Sequence, residues 1–452
     1  ASSPTVNLVV VFIVLSLCAK MGLRRKQFDV TSAFLHAELA SPEYMRLSKQ
    51  IAGIVAKHDP SKEKFVQRDG TMIVKLLRAL YGLKSASLSW YTLLASKLQA
   101  NGYKRSAMDS CLFTKTVNGE VCYILVYVDD MLVCSSTEAL ENEVEQMLVK
   151  EFRGITSREG DNLSFLGMSL LNTEHGDVKV VQTGYIDEVV QDAGVTTTAS
   201  MPASGTFKNN PDSPSCNINE FRSLLMKVMF LALRTRPDVL VHTVILSSRQ
   251  AVATEADWAK LTRLVEYLNG TRTDGICFKR DGKVEVNAYI DAAFDVHPDH
   301  KSHTGYVIFP DFAGSAGILC RSMKQKTISS SSTEAEIIAL HEGVRHLLWV
   351  LEIYGELGHY PDCAVKVFQD NRAAIILTKE GPINFKGNSK FISRKFFTVH
   401  EHLSDGKIEI VQIGTNEMVA DFLTKATCGN KYRNFRVRVM GLESEAMTVP
   451  GV

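Results

Sequence analysis

The chain has 452 residues, of which 45% are hydrophobic and 22% are charged. This composition is that of a globular protein and excludes a disordered or low-complexity chain, and the length predicts two or three domains. Because 51 Lys and Arg stand against 50 Asp and Glu, the net charge is only +1. A nucleic-acid-binding surface, which is usually basic, would therefore have to be local.

The apolar run over residues 8–17 predicts a buried helix. It is too short to span a bilayer, and no basic region precedes it as in a signal peptide. The nine Cys are scattered without a CxxC pair, which predicts buried thiols in a reducing compartment and no structural zinc. Since the chain begins with Ala1 rather than Met, we interpret it as a fragment or a processed polyprotein.

Apolar strands and amphipathic helices alternate up to about residue 173. The apolar residues 122–128 and 131–134 predict two strands of a hairpin, joined by a turn of Asp129 and Asp130. A helix is predicted to follow this hairpin, and Ser135 and Glu138 are the predicted capping box at its start.

The remaining regions differ from the first. Residues 174–280 are predicted to be mostly helical. The last region opens with an alternating strand that ends on Asp291. Its further strands and a long helix over 333–357 predict a mixed α/β sheet.

Acidic residues at strand ends are the informative feature of the first region. Asp29 follows a strand-like segment, and Asp129 and Asp130 lie at the hairpin tip. Nucleotidyl transfer needs two divalent ions roughly 3.5–4 Å apart, and carboxylate oxygens are ligands that Mg²⁺ prefers. The alternative interpretation of the Asp-Asp pair is an exposed acidic turn.

The residues around these acids resemble the motifs of a known protein family. Tyr127-Val128-Asp129-Asp130 is the YxDD box of reverse transcriptases, and residues 28–35 resemble their first metal-binding motif. Residues 80–86 (LYGLKSA) resemble the LYGLKQA block of copia-type elements, and residues 165–168 (FLGM) resemble the primer grip. From about residue 4 to 425, the sequence resembles the reverse transcriptase and ribonuclease H region of copia-type (pseudovirus) LTR retrotransposon Pol polyproteins.

The resemblance implies roles for residues of the first region. It makes Asp29, Asp129 and Asp130 the catalytic metal-binding triad, and it makes Phe34 the steric gate that rejects a ribose 2′-hydroxyl. The alternative for Phe34 is a core residue. Three more residues are implied to bind substrate: Tyr81 and Gly82 at the incoming nucleotide, and Lys84 at phosphate or template.

A second set of acids lies in the last region: Asp291, Glu336, Asp370 and Asp421. The residues around them, including STEAE (332–336), QDN (369–371) and ADFLTK (420–425), resemble the ribonuclease H motifs of copia-type elements. The resemblance implies that these four residues are catalytic and bind two Mg²⁺. Glu334 shares a motif with Glu336, and its expected role is a favourable interaction with the helix N-terminus.

The expected fold class is α/β and α+β multidomain. Four segments are predicted: a reverse transcriptase palm with partial fingers (1–173), a helical thumb or connection (174–280), a ribonuclease H domain (281–426) and a basic C-terminal tail (427–452). The right-hand palm has an antiparallel sheet with helices, and the ribonuclease H-like domain has a mixed α/β sheet.

Two local basic surfaces are predicted to meet nucleic acid, with a solvated charged face as the alternative for each. One comprises Lys386, Lys390, Arg394 and Lys395, and the other comprises Lys431, Arg433, Arg436 and Arg438.

Three departures from the family pattern limit these expectations. The family carries a basic fingers segment upstream of the point where this chain begins. Residues 390–392 (KFI) and 396–397 (FF) replace a Lys-His-Ile and a following His. Ser85 and Ser87 replace the family's Gln and Pro.

The sequence predicts an RNA-directed DNA polymerase with ribonuclease H activity, using Mg²⁺, or Mn²⁺ as the alternative. The expected partners are an RNA template, a DNA primer, their hybrid and deoxynucleoside triphosphates, without a membrane. Family analogy alone adds a homodimer and a flanking integrase. We expect a cytoplasmic virus-like particle, or else the nucleus. The alternative functions are a non-catalytic relic that binds nucleic acid and an RNA-dependent RNA polymerase.

Overall fold

The computed structural model describes residues 3–204, 207, 210, 212–381 and 393–443. They form two compact units. The first unit contains Arg24–Glu159 together with the residues up to Asn7, and the second contains Leu8–Leu23 and the chain from Gly160 onward. These units do not coincide with the four predicted segments, whose functional names remain predictions.

The helices are α1 (Leu8–Met21), α2 (Lys49–His58), α3 (Ala86–Ala100), α4 (Glu138–Glu151), α5 (Thr183–Asp192), α6 (Ile218–Ala232), α7 (Leu240–Ser247), α8 (Glu255–Gly270), α9 (Ser332–Glu356), α10 (Arg372–Glu380), α11 (Ser393–Ser404), α12 (Asp421–Thr424) and α13 (Gly429–Met440). The strands of the first unit are β1 (Arg24–Val30), β2 (Glu38–Leu47), β3 (Met72–Arg78), β4 (Lys104–Arg105), β5 (Leu112–Val117), β6 (Glu120–Tyr127), β7 (Asp130–Ser135) and β8 (Ile155–Glu159). Those of the second unit are β9 (Asn162–Phe165), β10 (Met168–Asn172), β11 (Val178–Val181), β12 (Ile276–Phe278), β13 (Asn287–Ala293), β14 (His303–Phe309), β15 (Leu319–Lys324), β16 (Val365–Gln369) and β17 (Ile408–Gln412).

The first unit is built on a six-stranded antiparallel sheet in the order β4-β5-β6-β7-β1-β8. Its central strands β6 and β7 are almost entirely apolar and buried, because β-branched and aromatic side chains suit a sheet that is covered by helices. Helix α3 buries Trp90, Leu94 and Leu98. A separate antiparallel pair, β2 and β3, lies beside α2.

The second unit contains two sheets. One is antiparallel, in the order β12-β11-β10-β9. The other is mixed, in the order β15-β14-β13-β16-β17, with β13, β16 and β17 parallel to each other. Parallel neighbours in one sheet bring their carboxyl ends to the same edge, and this edge is where the second set of acids lies. Helices α5–α8 contain 49 residues of the region 174–280, which also holds strands β11 and β12, so the region is less helical than predicted.

The apolar run at the N-terminus forms helix α1, and eleven of its fourteen residues are buried. The helix belongs to the second unit. Lys20 forms a buried ion pair with Asp311 (Nζ–Oδ2 2.8 Å), and the hydroxyls of Ser16 and Tyr354 lie 3.1 Å apart. The predicted buried helix is therefore confirmed. No helix within the described ranges has both the length and the apolar character of a membrane span.

A largely buried network of charges connects α8 and α13. Both oxygens of the Asp238 carboxylate accept hydrogen bonds from Arg236, at 3.0 and 2.8 Å. The Tyr267 hydroxyl and Arg436 Nε donate to the same carboxylate at 2.6 and 3.2 Å. Burial alone would raise the pKa of Asp238, but the arginine charges outweigh it and lower that pKa to about 2. An unpaired buried charge is costly, so the network stabilises only while complete.

The segment predicted as a basic tail forms helix α13, which is part of the core of the second unit. Tyr432 and Phe435 are buried, Arg436 completes the network just described, and the Arg438 guanidinium lies 4.0 Å from the centre of the Phe309 ring. The two expectations for this segment, a nucleic-acid surface and a solvated charged face, are therefore wrong for Arg436 and Arg438. Burial of the aromatic residues draws both arginines inward, and Arg433 stays exposed.

The other predicted basic surface stays a prediction. The side chains of Lys386, Lys390, Arg394 and Lys395 lie outside the described residues. The same holds for the side chains at the two replaced family positions, 391–392 and 396–397.

Candidate active sites

The hairpin that carries the paired aspartates is present, with its turn one residue earlier than predicted. Strands β6 and β7 pair as far as Tyr127 and Asp130, so Val128 and Asp129 form the turn. Val128 has φ of 57°, a left-handed conformation that is rare for a β-branched residue. The indole Nε1 of Trp90 donates a hydrogen bond to the Val128 carbonyl at 2.7 Å and holds this turn in place.

Strand β1 brings the third aspartate to the hairpin. It pairs with β7 so that Asp29 and Asp130 are direct cross-strand partners, and the Val30 N–H donates to the Asp129 carbonyl at 3.3 Å. Side chains of antiparallel partners are neighbours. The strand pairing thus places the three predicted residues next to one another, although their carboxylate oxygens do not come within 4.8 Å of each other as those of three acids in the second unit do.

The charges of this triad repel one another. Burial raises the pKa of Asp29, and the negative charge of Asp129 raises it further. Burial also raises the pKa of Asp130, although a hydrogen bond from Gln27 Nε2 at 3.0 Å opposes this. A divalent cation between the carboxylates would remove the repulsion, so the triad fits Mg²⁺.

The predicted substrate-binding residues lie in the same unit. Phe34 is half-buried in a short 3₁₀ helix, and its ring centre lies 4.5 Å from that of Tyr81. The pKa of Tyr81 is raised by burial and by the charges of Asp129 and Asp29, which places its hydroxyl in the field of the triad. Gly82 has φ of 96°, and no other atom lies within 4 Å of the position that a Cβ would occupy there.

Lys84 is exposed, as a residue that contacts phosphate or template must be. The half-buried Phe34 ring, which packs on the exposed Tyr81, does not fit the alternative of a core phenylalanine.

Three acids of the second set meet in the second unit. One carboxylate oxygen each of Asp291, Glu336 and Asp370 lies within 4.8 Å of the others, the one such group in the described part of the chain. Asp291 lies on β13, Glu336 in the first turns of α9, and Asp370 follows β16. Asp291 and Glu336 are nearly inaccessible to solvent.

The electrostatics of this group favour a cation. Burial raises the pKa of Asp291 to about 6. Burial and the charges of Asp291 and Asp370 also raise the pKa of Glu336. Buried carboxylates that are held this close remain charged together only if positive charge joins them, so the donor set fits divalent ions.

The fourth predicted ligand, Asp421, lies outside this group. Lys425 Nζ and Lys431 Nζ bind its two oxygens at 2.6 and 2.5 Å. Burial would raise the pKa of Asp421, but these hydrogen bonds outweigh it and lower the pKa. The adjacent Thr424 hydroxyl donates to Asp291 at 2.5 Å. Sequence reasoning missed Thr424 and Lys425, although both lie in the ADFLTK motif.

Glu334 also lies outside the group. Its carboxylate accepts a hydrogen bond from the Ser330 N–H at 2.7 Å, and its own N–H donates to the Ser331 hydroxyl at the start of α9. Ser331 therefore caps the helix, and the Glu334 carboxylate lies in the first turn, where a negative charge interacts favourably with the helix N-terminus.

Sequence comparisons identify relatives along most of the chain. A family model described as "Reverse transcriptase (RNA-dependent DNA polymerase)" matches residues 1–204. The retrovirus-related Pol polyprotein from transposon TNT 1-94 of Nicotiana tabacum is 28% identical over 444 residues, covering 95% of this chain and 32% of that protein. The Pol polyprotein from transposon RE1 of Arabidopsis thaliana is 28% identical over 443 residues, covering 97% and 29%. The chain thus spans about a third of the length of these relatives.

A structural comparison shows the fold. The foamy viral protease-reverse transcriptase in complex with an RNA/DNA hybrid aligns with 92% of this chain and 46% of its own, with a TM-score of 0.52 and 13% identity. The expected fold class is confirmed by this likeness and by the mixed and antiparallel sheets described above. From the matching family model and its sequence relatives, the chain belongs to the reverse transcriptase family of copia-type retrotransposon Pol polyproteins.

Proposed function

We propose that this protein is an RNA-directed DNA polymerase that also hydrolyses the RNA strand of the hybrid it makes. The observation that carries the proposal is the pairing of Asp29 with Asp130 on adjacent strands, with Asp129 in the neighbouring turn, in a chain of the reverse transcriptase family. The buried group of Asp291, Glu336 and Asp370 supports the second activity.

Each group of acids holds divalent ions in this proposal. When bound, Mg²⁺ stabilises the attacking 3′-oxygen and the leaving pyrophosphate in synthesis, and activates a water molecule in hydrolysis. Asp29 and Asp130 hold their oxygens in register through the pairing of β1 and β7. Trp90 fixes the turn that presents Asp129.

The residues beside the triad select and orient the nucleotide. The Phe34 ring, supported by Tyr81, occupies the space that a ribose 2′-hydroxyl would need. Gly82 lets the backbone approach the substrate closely, because no side chain intervenes. Lys84 supplies a positive charge for phosphate or template.

In the nuclease, Asp421 is proposed as the fourth ligand. To join the other three acids, it must exchange its ion pairs with Lys425 and Lys431. The two ammonium groups then become available to phosphate oxygens of the RNA strand.

The proposed partners are an RNA template, a DNA primer, their hybrid and deoxynucleoside triphosphates. The foamy viral neighbour, whose structure holds an RNA/DNA hybrid, supports this class of substrate. Because the matched relatives are Pol polyproteins about three times as long, we further propose that the chain acts as part of a polyprotein.

Two assays on one preparation test the proposal. Primer extension on an RNA template, and cleavage of the RNA strand of a preformed hybrid, are measured with Mg²⁺, with Mn²⁺ and with a chelator. We expect both activities with metal and neither with the chelator. The measurement is repeated on a chain extended upstream by the family's fingers segment. Binding of the hybrid without either activity, in both chains and at every metal concentration, would favour a non-catalytic relic.

Sugar selection provides a sharper test of the nucleotide pocket. Phe34→Val removes the ring beside the triad, so we expect ribonucleotides to be incorporated and deoxynucleotide use to be largely kept. The measurement is the ratio of kcat/KM for a deoxynucleotide and its ribonucleotide. Leu35→Val is the matched control, since Leu35 is the exposed neighbour on the same turn. An unchanged ratio in an active Phe34→Val protein would refute the steric gate.

A further inference from the structure

Gln369 is the last residue of β16 and immediately precedes Asp370. It is completely buried, although its side chain carries a primary amide with two donor hydrogens and an acceptor oxygen. A buried amide is tolerated only when these groups are hydrogen-bonded. All the partners of this amide belong to the segments that carry the three acids.

The nitrogen of the amide faces two of these segments. Nε2 donates to the Glu336 carboxylate at 3.3 Å and to the backbone carbonyl of Ile290 at 3.2 Å. Ile290 precedes Asp291 on β13. The amide therefore ties the carboxylate of one acid to the strand that presents another.

The oxygen of the amide faces the third segment. Oε1 accepts hydrogen bonds from the backbone N–H groups of Asp370 and Asn371, at 2.8 and 2.9 Å. These bonds turn the chain at the end of β16 and set the direction in which Asp370 leaves the strand. One neutral side chain thus contacts the segments of all three acids.

We infer that Gln369 is a positioning residue of the nuclease, which fixes the mutual spacing of Asp291, Glu336 and Asp370 for metal binding. This inference rests on the proposed function. Mg²⁺ demands near-octahedral geometry from its ligands, and residues that orient metal ligands typically change metal affinity or activity about 10–100-fold when they are replaced. A neutral amide suits the position, because a carboxylate would repel Glu336.

Gln369→Met tests the inference, since it keeps a similar unbranched side chain and removes both hydrogen-bonding ends. The variant is made in the full chain with Asp29→Asn and Asp129→Asn, so that the polymerase site contributes little to metal binding. The readout is the rise in Tm with Mg²⁺ concentration, because a ligand that binds the folded state raises Tm. We expect the apparent Kd for Mg²⁺ to increase about tenfold or more, with a parallel increase in the Mg²⁺ needed for RNA cleavage.

Asn287→Leu is the matched control. Asn287 is also a fully buried amide in the same sheet, and it donates to the backbone carbonyls of Glu285 and Asp311. We expect a lower Tm without Mg²⁺ and an unchanged apparent Kd. Gln369→Asn, which keeps the amide but draws it back from Glu336, is the second variant and should weaken Mg²⁺ binding in the same direction.

The outcomes separate this inference from the proposed function. An unchanged Kd in Gln369→Met and Gln369→Asn would overturn the role of Gln369, even if the parent chain cleaves RNA. If Gln369→Met does not fold, Gln369→Asn alone decides. Absence of Mg²⁺-dependent stabilisation and of cleavage in the parent chain would instead refute the nuclease itself.

Discussion

Asp129→Asn is expected to lower DNA synthesis by several orders of magnitude and to leave cleavage of the RNA strand unchanged. The substitution removes one negative charge from the turn between β6 and β7, and metal binding by the triad depends on that charge. Asp291, Glu336 and Asp370 belong to the other compact unit and keep their environment. Primer extension and hybrid cleavage, measured on the same preparation, give the two rates.

Asp69→Asn is the control for this experiment. Asp69 is an exposed turn residue in the same unit, bound to the Thr71 N–H and hydroxyl, and its replacement should leave both rates unchanged. Loss of both activities in a well-folded Asp129→Asn protein would contradict the assignment of two separate sites.

The second large effect is expected for Glu336→Gln, which should lower RNA cleavage by orders of magnitude. The substitution keeps the shape of the side chain and removes the charge that completes the buried group with Asp291 and Asp370. Because the three neighbouring carboxylates, two of them buried, repel one another, the metal-free variant should be as stable as the parent or more stable. Cleavage rates at several Mg²⁺ concentrations, together with Tm, measure both effects.

Glu334→Gln is chemically the same change two residues away. Its carboxylate lies in the first turn of α9 and accepts from the Ser330 N–H. A negative charge at a helix N-terminus is worth about 0.3–1 kcal/mol, so a small loss of stability and full cleavage are expected. Equal losses of cleavage in the two variants would show that the wrong glutamate was assigned. Full cleavage by Glu336→Gln would remove it from the site.

The sequence was sufficient for local features with a strong pattern. The apolar run of α1, the acidic hairpin and the strand that ends near Asp291 were all predictable from periodicity and turn residues. The exact ends of the helices and strands were harder to predict. The helix after the hairpin begins at Thr137, whose side chain accepts from the Leu140 N–H, rather than at the predicted Ser135, because β7 continues through Ser135.

Features that depend on distant parts of the chain could not be predicted. No local pattern shows that Asp421 meets Lys431, or that Arg436 meets Asp238 across 198 positions of sequence. The charges of α13 suggested solvent or nucleic acid, since its buried acidic partners lie elsewhere in the sequence. Gln369 lies in the QDN motif, but its role depends on Glu336 and Ile290, which only the folded sheet brings to it.

Helix α1 has a consequence for the order of events during synthesis. Its partners Asp311 and Tyr354 leave the ribosome some 300 residues after it does. At about 5–20 residues per second, this apolar helix waits roughly 15–70 s for them. During that interval one of the most hydrophobic segments of the chain lacks much of its native surface, because only earlier partners such as β11 and β12 can contact it. The nascent protein then depends on chaperones or on transient burial. Slow translation would then favour aggregation over folding.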